Sequence, residues 1–444
     1  MIEMSPEVLT IVMLAGLVVG VMTGFPLAFP VGTVALLVGY LAFGQSVLDI
    51  TYQQVFSILH NYVLLALPLF IIMGIILEYS LIADKMYDAL YLWLSGFRGG
   101  LAIVTLVLGT ILAACVGVMS ASVTMLTSIA LPAMLKRGYN KSLASGAVCA
   151  GGTLGILIPP SVMLVIYGPM ARLSVGKLFM AAIFPGLLLA FLYCLYVAIA
   201  CYFKPELAPA IPAEERAVPL ARKVRVLLVS LLPPSFIIMA VLGSIYLGIA
   251  PPTEAAAVGA FAALVLTIVY KKLTWKVLKS ILLRSLNVSC MAMFLGAMSV
   301  AFTAVFLKGR GGEVVQNAVM ALPGGRWSVF AFVMFIYFFL GFFMEWLGIF
   351  FIMVPILAPL APALGFDPIW FGMMICINLQ MSFLTPPYAF SIFVLHAVAP
   401  PELGVTSADV IKGVIPYVVM IMVGLALCVA FPQIILWLPS TMIK

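Results

Sequence analysis

Apolar residues in this chain gather into long runs split by short polar breaks, with neither strand-like alternation nor the narrow stripe of a soluble amphipathic helix. The runs occupy 9–25, 31–43, 62–80, 101–135, 142–170 and 176–203, and, past a stretch rich in proline and charge from Lys204 to Arg225, 226–249, 254–270, 285–307, 327–363, 369–397 and 411–438. A helix of ~20 apolar residues crosses the hydrocarbon core of a bilayer. The pattern therefore predicts an all-α polytopic membrane protein. The opening MIEMSPEVLTIVMLAGLVVG lacks a basic leader and reads as the first span rather than a cleaved signal.

The two sets of runs resemble one another, and a duplicated unit should keep its helix-breaking residues in register. Adding 227 to the numbering carries Gly32 onto Gly259, Pro132 onto Pro359, Gly138 onto Gly365, and Pro159 and Pro160 onto Pro386 and Pro387. It also carries Ala28, Val31 and Leu37 onto Ala255, Val258 and Leu264. Two repeats are expected, 1–203 and 226–444, joined by a cytoplasmic linker over 204–225.

The runs 101–135 and 327–363 are too long for one span and hold polar, glycine-containing centres, GVMSAS and GFFMEWLG. Each reads as a re-entrant hairpin. Every repeat then has about five crossings plus one hairpin, an odd count that inverts the second repeat relative to the first. This threading collects most of the 22 basic residues on one face, among them Lys136, Arg137, Lys141, Arg216, Arg222, Lys223, Arg225, Lys271, Lys272, Lys276 and Lys279. Arg172, Lys177, Lys308, Arg310, Arg326 and Lys444 fall on the other. Cytoplasmic loops retain the excess of Lys and Arg. Both termini and the mouth of the second hairpin are thus expected on the periplasmic side, and the first hairpin is expected to open inward.

Composition narrows the function classes. The chain is 65% hydrophobic and 8% charged, with a mean hydropathy of +1.27, against roughly 25% charged residues in soluble domains. A soluble enzyme and a nucleic-acid binder are excluded, and the partner of most of the surface is the lipid bilayer. The net charge of +7 reports topology. Cys115, Cys149, Cys194, Cys201, Cys290, Cys376 and Cys428 all lie in apolar stretches, without a CxxC pair or a histidine at ligand spacing, so neither a transition-metal site nor a cofactor is expected. His60 and His396 sit near span ends and read as interfacial or structural. No HExxH, GxSxG, P-loop or dinucleotide fingerprint occurs, which leaves an ion gradient as the economical energy source.

Interrupted helices mark where chemistry can live, because backbone polar groups in hydrocarbon need partners. GGTLGILIPPS (151–161) contains Gly151, Gly152 and Gly155, which permit non-helical backbone, ahead of Pro159 and Pro160. Its repeat mate is NLQMSFLTPPY (378–388), where Thr385 precedes Pro386 and Pro387. A break exposes carbonyls that suit a small cation and a helix start that suits a carboxylate. The alternative is a pair of proline kinks without ligand.

Ser120 and Ser122 at the first hairpin tip can ligate a hard cation or bond back to their own helix. Glu345 is the one acidic residue well inside an apolar run; it must be protonated, paired, near a cation or wet. Asn378 and Gln380 can line the same cavity or form interhelical hydrogen bonds. Arg172 can attract an anion or snorkel. ADKMYDALYLWLSGFRGG (83–100) reads as an interfacial helix, either an arm linking rigid blocks or an ordinary surface helix.

Three long stretches carry a family resemblance: GVMSASVTMLTSIALPAMLKRGYNKSLASGAVCAGGTLGILIPPSVMLVIYG, VGKLFMAAIFPGLLLA, and MEWLGIFFIMVPILAPLAPALGFDPIWFG leading into FLTPPYAFSIFVL. In order and spacing the chain resembles the large membrane subunit of tripartite ATP-independent periplasmic (TRAP) transporters, the C4-dicarboxylate permease large-subunit type. The resemblance covers almost the whole length. It implies an elevator-type fold of the ion-transporter superfamily in the bacterial inner membrane, with Na+ as coupling ion. It also implies two partners, a separate small membrane subunit of about four helices and a periplasmic binding protein that delivers an organic acid.

The sodium set it implies is Gly117, Ser120, Ser122, Gly151 and Gly155, with Glu345 and Thr385 from the second repeat. The substrate set expected beside it is Ser122, Pro159, Ser161, Asn378, Gln380, Thr385 and Pro386. The tip departs from the common S-G-S form at Ala121, and Thr124 and Met125 differ from the small and acidic residues of many relatives. The expected activity is sodium-coupled uptake of a carboxylate. Its alternatives are a self-sufficient carboxylate carrier of the same superfamily and, remotely, a membrane-embedded enzyme using Glu345 and His396.

Overall fold

The computed structural model of the protein describes residues 4–94, 96–209 and 219–442. Arg216 and Lys444, used above for orientation, lie outside the described residues, as does most of the linker's centre. The first repeat runs α1 (Pro6–Met22), α2 (Ala28–Phe43), α3 (Ser46–Leu59), a 3-10 turn at Tyr62–Leu65, α4 (Ala66–Tyr79), α5 (Ile82–Leu94), α6 (Gly100–Val116), α7 (Met119–Lys136), α8 (Lys141–Thr153), α9 (Val162–Ala171) and α10 (Val175–Phe203). The second runs α11 (Leu220–Tyr246), α12 (Pro252–Val269), α13 (Trp275–Lys308), α14 (Gly311–Met320), α15 (Gly325–Leu340), α16 (Trp346–Leu357), α17 (Leu360–Ala363), α18 (Pro368–Ser382), α19 (Phe390–Val398), α20 (Ser407–Ala430) and α21 (Gln433–Ser440). Among the described residues there is no strand, and eight helical segments are long and apolar enough to cross a membrane.

Both long runs are helical hairpins, α6 with α7 and α15 with α16, turning at Gly117–Val118 and at 341–345. Three helices lie outside the expected spans. The amphipathic α3 and α14 are too short and too polar to register as membrane runs, and α21 prolongs the last span. The run 285–307 is the inner part of the 34-residue α13. Shifted back by one repeat, α13 corresponds to α3, the 3-10 turn and α4 together. Asn61 makes the difference: its side chain accepts the Val63 N–H at 3.0 Å and restarts the chain after α3, whereas its mate Val288 offers no such acceptor and the helix runs on. Arg222, Lys223 and Arg225 belong to α11 rather than to a linker.

The repeats interlock by exchanging equivalent contacts. α2 packs on α13 and α4 on α12; α1 packs on α14 and α5 on α11; α7 meets α19 and α9 meets α16; α8 meets α20 and α10 meets α18. The segment read as an arm is α5, and α14 is its mate. The register glycines have a packing reason. A Cβ on Gly32 would lie 2.6 Å from the sulfur of Met298, and one on Gly259 would lie 2.6 Å from that of Met73, so each α2-type helix takes a methionine of the other repeat into its glycine notch. Small residues allow such close approach where lipid supplies no hydrophobic drive. At the α8–α20 crossing a Cβ on Gly413 would collide with the Ser142 carbonyl, and one on Gly146 with that of Gly413.

That crossing yields a sign test. Gly243 on α11 has open space around it, so Gly243→Ala should be neutral or raise stability through helix propensity, by up to about 1 kcal/mol. Gly413→Ala should lower it by about 1–3 kcal/mol because backbone must shift. Thermal melts of the purified variants in one detergent give both values, and equal shifts would remove the close crossing.

Candidate functional site

The first interruption begins later than its glycines suggest. Gly151 and Gly152 are helical residues of α8, and Gly151 serves packing: a Cβ on Gly109 of α6 would lie 2.7 Å from its carbonyl oxygen. The helix gives way to a 3-10 turn at Leu154–Ile156 and then to irregular backbone through Ser161. The second interruption spans 383–389, so Asn378 and Gln380 are helical residues of α18. The Pro159–Pro160 and Pro386–Pro387 bonds are both cis.

At each break the last carbonyl before the loop is held by a serine of the following half-helix. The Ser161 hydroxyl donates to Ile156 O, and the Ser391 hydroxyl donates to Phe383 O at 2.6 Å; Ile156 and Phe383 are repeat mates. Ser161 also accepts the Leu164 N–H as the cap of α9. Its hydroxyl proton is thus committed to the break itself. Ser391 went unnoticed in the sequence because serines are common and its partner lies eight residues earlier.

The two hairpin tips, both breaks and the long helices α4 and α13 enclose a cavity of about 400 Å³. Its wall includes Gly117, Val118, Met119 and Ser120 from the first tip, Glu345, Trp346 and Leu347 from the second, Ile156 and Val162 from the first break, and Tyr388 and Phe390 from the second. Ile71, Val288, Met291 and Ala292 close the side facing α4 and α13. Four helices therefore begin at this cavity: α7, α9, α16 and α19.

Side-chain caps are present at some helix starts and absent at others, and α9 has one in Ser161. Six helices starting elsewhere carry side-chain caps, Ser5 for α1, Asn140 for α8, Ser174 for α10, Thr274 for α13, Asp367 for α18 and Thr406 for α20, whereas α2, α3, α6, α11, α12, α14, α15 and α21 start without one. At the cavity the cap positions of α7, α16 and α19 are Val118, Glu345 and Ala389, and none makes a side-chain cap bond. First-turn N–H groups left without a cap, with the positive ends of their helix dipoles, favour an anion. In the first break, Leu157, Ile158, Pro159 and Pro160 are buried, and their carbonyls accept no hydrogen bond from a described residue. Such oxygens suit a hard cation. The arrangement can thus hold a carboxylate and a small cation side by side.

The expected residues divide. Ser120 is half-buried on the cavity with no protein hydrogen-bond partner among the described residues, and Glu345 likewise faces it unpaired. Gly117 forms the tip in a left-handed conformation, φ +66°, and a Cβ there would lie 2.6 Å from Pro160 O; its carbonyl accepts Val162 N–H at 3.4 Å, tying tip to break. Ser122 is fully buried off the cavity, bonds back to Val118 O at 3.4 Å, and presses on Gly155. Thr385 lies in the second break and donates to Met381 O at 2.5 Å, while Pro386 is exposed. Asn378 takes its interhelical option, donating to Met334 O of α15 at 2.7 Å. Gln380 is fully buried with both amide atoms unpartnered among the described residues. Tyr388 and the apolar wall of α13 were missed, since nothing local in the sequence marks them.

Comparison with known proteins follows this geometry. The family profile described as "Tripartite ATP-independent periplasmic transporter, DctM component" matches residues 11–434. The chain is 33% identical, over 87% of its length and 88% of the relative's, to the C4-dicarboxylate TRAP transporter large permease protein DctM of Pseudomonas aeruginosa. It is 28% identical, over 97% and 99%, to the ectoine TRAP transporter large permease protein TeaC of Halomonas elongata. In fold it is similar to the crystal structure of the YdaH transporter of Alcanivorax borkumensis, with a TM-score of 0.59 and 15% identity over 84% of this chain and 85% of that one.

The serine ties lead to a second expectation. Ser161→Ala and Ser391→Ala should each lower thermal stability by about 1–2 kcal/mol, whereas Ser120→Ala, which breaks no protein bond, should leave the melt unchanged. A destabilised Ser120→Ala with unaffected Ser161→Ala would reverse these assignments.

Proposed function

The chain belongs to the family of tripartite ATP-independent periplasmic transporter DctM components; it is a large permease subunit and not an enzyme, and we propose that it takes up an organic acid by coupling to sodium. The observation that supports this reading is the cavity lined by three helix starts without side-chain caps, with the unpaired Glu345 and Ser120 on its wall. The relatives' names include a C4-dicarboxylate and ectoine; both molecules bear a carboxylate, the group the helix starts favour, while the family as a whole leaves the rest of the substrate open.

In this reading the carboxylate lies against the first turns of α7, α16 and α19, and its body rests on Val288, Met291 and Ala292. Donors for sodium among the residues present are the Ser120 hydroxyl, the Glu345 carboxylate and the free carbonyls of 157–160, all hard oxygens. When bound, sodium supplies the countercharge that lets Glu345 and an anion share one cavity. The hairpins and broken helices move as one block against α1–α4 and α11–α13, with α5 and α14 as the connecting arms. A small membrane subunit and a periplasmic binding protein complete the system, and the chain's ends face the periplasm of a bacterial inner membrane.

Sodium binding can be read without knowing the substrate. Replacing choline chloride by sodium chloride should raise the melting temperature of the purified protein, corresponding to about 2–3 kcal/mol at a hundredfold excess over Kd. Glu345→Gln and Ser120→Ala should lose most of that rise, and wild-type sodium stabilisation in both would remove them from the site. Reconstituted uptake then separates the two transport schemes: full-rate uptake without any soluble binding protein would overturn the tripartite scheme in favour of a self-sufficient carrier.

A further inference from the structure

A second cavity, of about 490 Å³, lies between the same moving and fixed elements, against α3, α9, α13 and α16. Both cavities touch α9, one at Val162 and the other at its far end by Arg172, which places them about 15 Å apart along that helix. The second cavity is polar where the first is apolar: Gln54, Ser57 and Asn61 line it from the α3 side, Thr303 from α13 and Arg172 from α9.

Arg172 is the one charged residue on this wall. It caps α9 with φ +57° and ψ +39°, a left-handed conformation that a non-glycine residue adopts at a cost. Arg310 and Lys271 adopt the same backbone at other helix ends, and here it closes α9, with the Leu173 N–H returning to Gly168 O at 2.8 Å. The Arg172 guanidinium has no hydrogen-bond or carboxylate partner among the described residues, in contrast to Arg310, which grips Glu313 at 2.6 Å, and Lys308, which rests on the Phe43 ring and Ser46 near the same end of α13. Gln54 and the Ser57 hydroxyl likewise lack protein partners among the described residues. The amide and hydroxyl of these two residues supply donors beside the free guanidinium, and no acidic side chain lines the cavity to compete.

We infer that Arg172, with Gln54 and Ser57, forms a second anion site that holds a free organic carboxylate at the mouth of the cleft before or after it occupies the central cavity. This rests on the uptake reading above for the identity of the anion, not for the existence of the site. A guanidinium with neighbouring neutral donors binds a carboxylate through charge-assisted hydrogen bonds and, being open to water, holds it weakly enough to release it.

The test needs no transport. Ser57→Cys is introduced into the full chain in nanodiscs of phosphatidylcholine alone, and its modification by an anionic and by a cationic methanethiosulfonate reagent is timed over the parent-chain background. The anionic reagent should be favoured by about threefold or more relative to the same ratio in Ser57→Cys with Arg172→Gln, and Arg172→Lys should keep part of the bias. Millimolar succinate, compared with chloride at equal ionic strength, should slow modification in the Arg172 chain and not in Arg172→Gln. Equal ratios in both chains, or no protection by succinate, would overturn the site. Protection that appears only when anionic lipid is added would assign Arg172 to lipid headgroups and overturn the carboxylate site. Because these rates are independent of sodium stabilisation and of uptake, failure here and failure of the central site are separate results.

Discussion

Backbone groups that cannot reach water must find partners inside the protein or in what it binds, and this requirement governs where every helix of the chain is allowed to stop. In hydrocarbon an unsatisfied N–H or C=O costs several kcal/mol. Some helix starts away from the central cavity meet the requirement with Ser5, Asn140, Ser174, Thr274, Asp367 and Thr406, and others, such as those of α2, α6, α11 and α15, carry no side-chain cap. At the cavity Ser161 caps α9, while α7, α16 and α19 start at Val118, Glu345 and Ala389, which make no side-chain cap bond. What distinguishes these three uncapped starts is that their first turns line one cavity, where an anion can meet the donors. The buried carbonyls of Leu157 to Pro160 extend the same logic to acceptors.

Holding such breaks in place requires stiffness around them. The exchanged contacts between repeats supply it, because each hairpin and each broken helix is braced by an element of the other half. Gly32 and Gly259 let methionines of opposite repeats enter equivalent notches, and the Gly146–Gly413 crossing brings α8 and α20 to backbone contact. Ser161 and Ser391 then fasten the two loops from within. The irregular segments are short loops fixed at both ends by close-packed helices.

Much of this was legible in residues that break helices. Gly32, Gly138, Pro132 and the proline pairs recur at one offset because they mark places where the backbone itself is constrained, and such constraints survive when apolar side chains drift. Ser120 and Glu345 stood out as polar residues inside apolar runs, and both face the cavity. What escaped notice depends on contacts between distant segments. Gly151 and Gly152 looked like a break and are packing positions, since a glycine that lets α6 approach is locally identical to one that unwinds a helix. For Asn378 the sequence left a cavity role and an interhelical bond both open, and only the contact with Met334 O of α15 distinguishes them. α3 was missed because its polar face, which serves the second cavity, erased its apolar run.

The pseudo-symmetry also breaks in one informative place. Asn61 ends the helix that its mate Val288 continues, so the two repeats present different walls to the cleft. The central cavity meets Ile71 of α4 and Val288, Met291 and Ala292 of α13, side chains that make no directional bonds; in the second cavity Gln54, Ser57 and Asn61 on the α3 side offer donors and acceptors. For a block carrying the hairpin tips to slide along α13, contacts at the sliding surface must be exchangeable at little cost, and dispersion against flat apolar side chains is nearly indifferent to register. A hydrogen-bonded wall would instead hold one position. Thr303, whose hydroxyl donates to Phe351 O of α16 at 3.3 Å, forms a polar link of this kind across that surface, from α13 to the hairpin helix α16. Sliding has to exchange this bond, while the wall that α13 presents to the central cavity stays apolar, so the motion proposed for this chain meets its directional cost at Thr303 and not at the site.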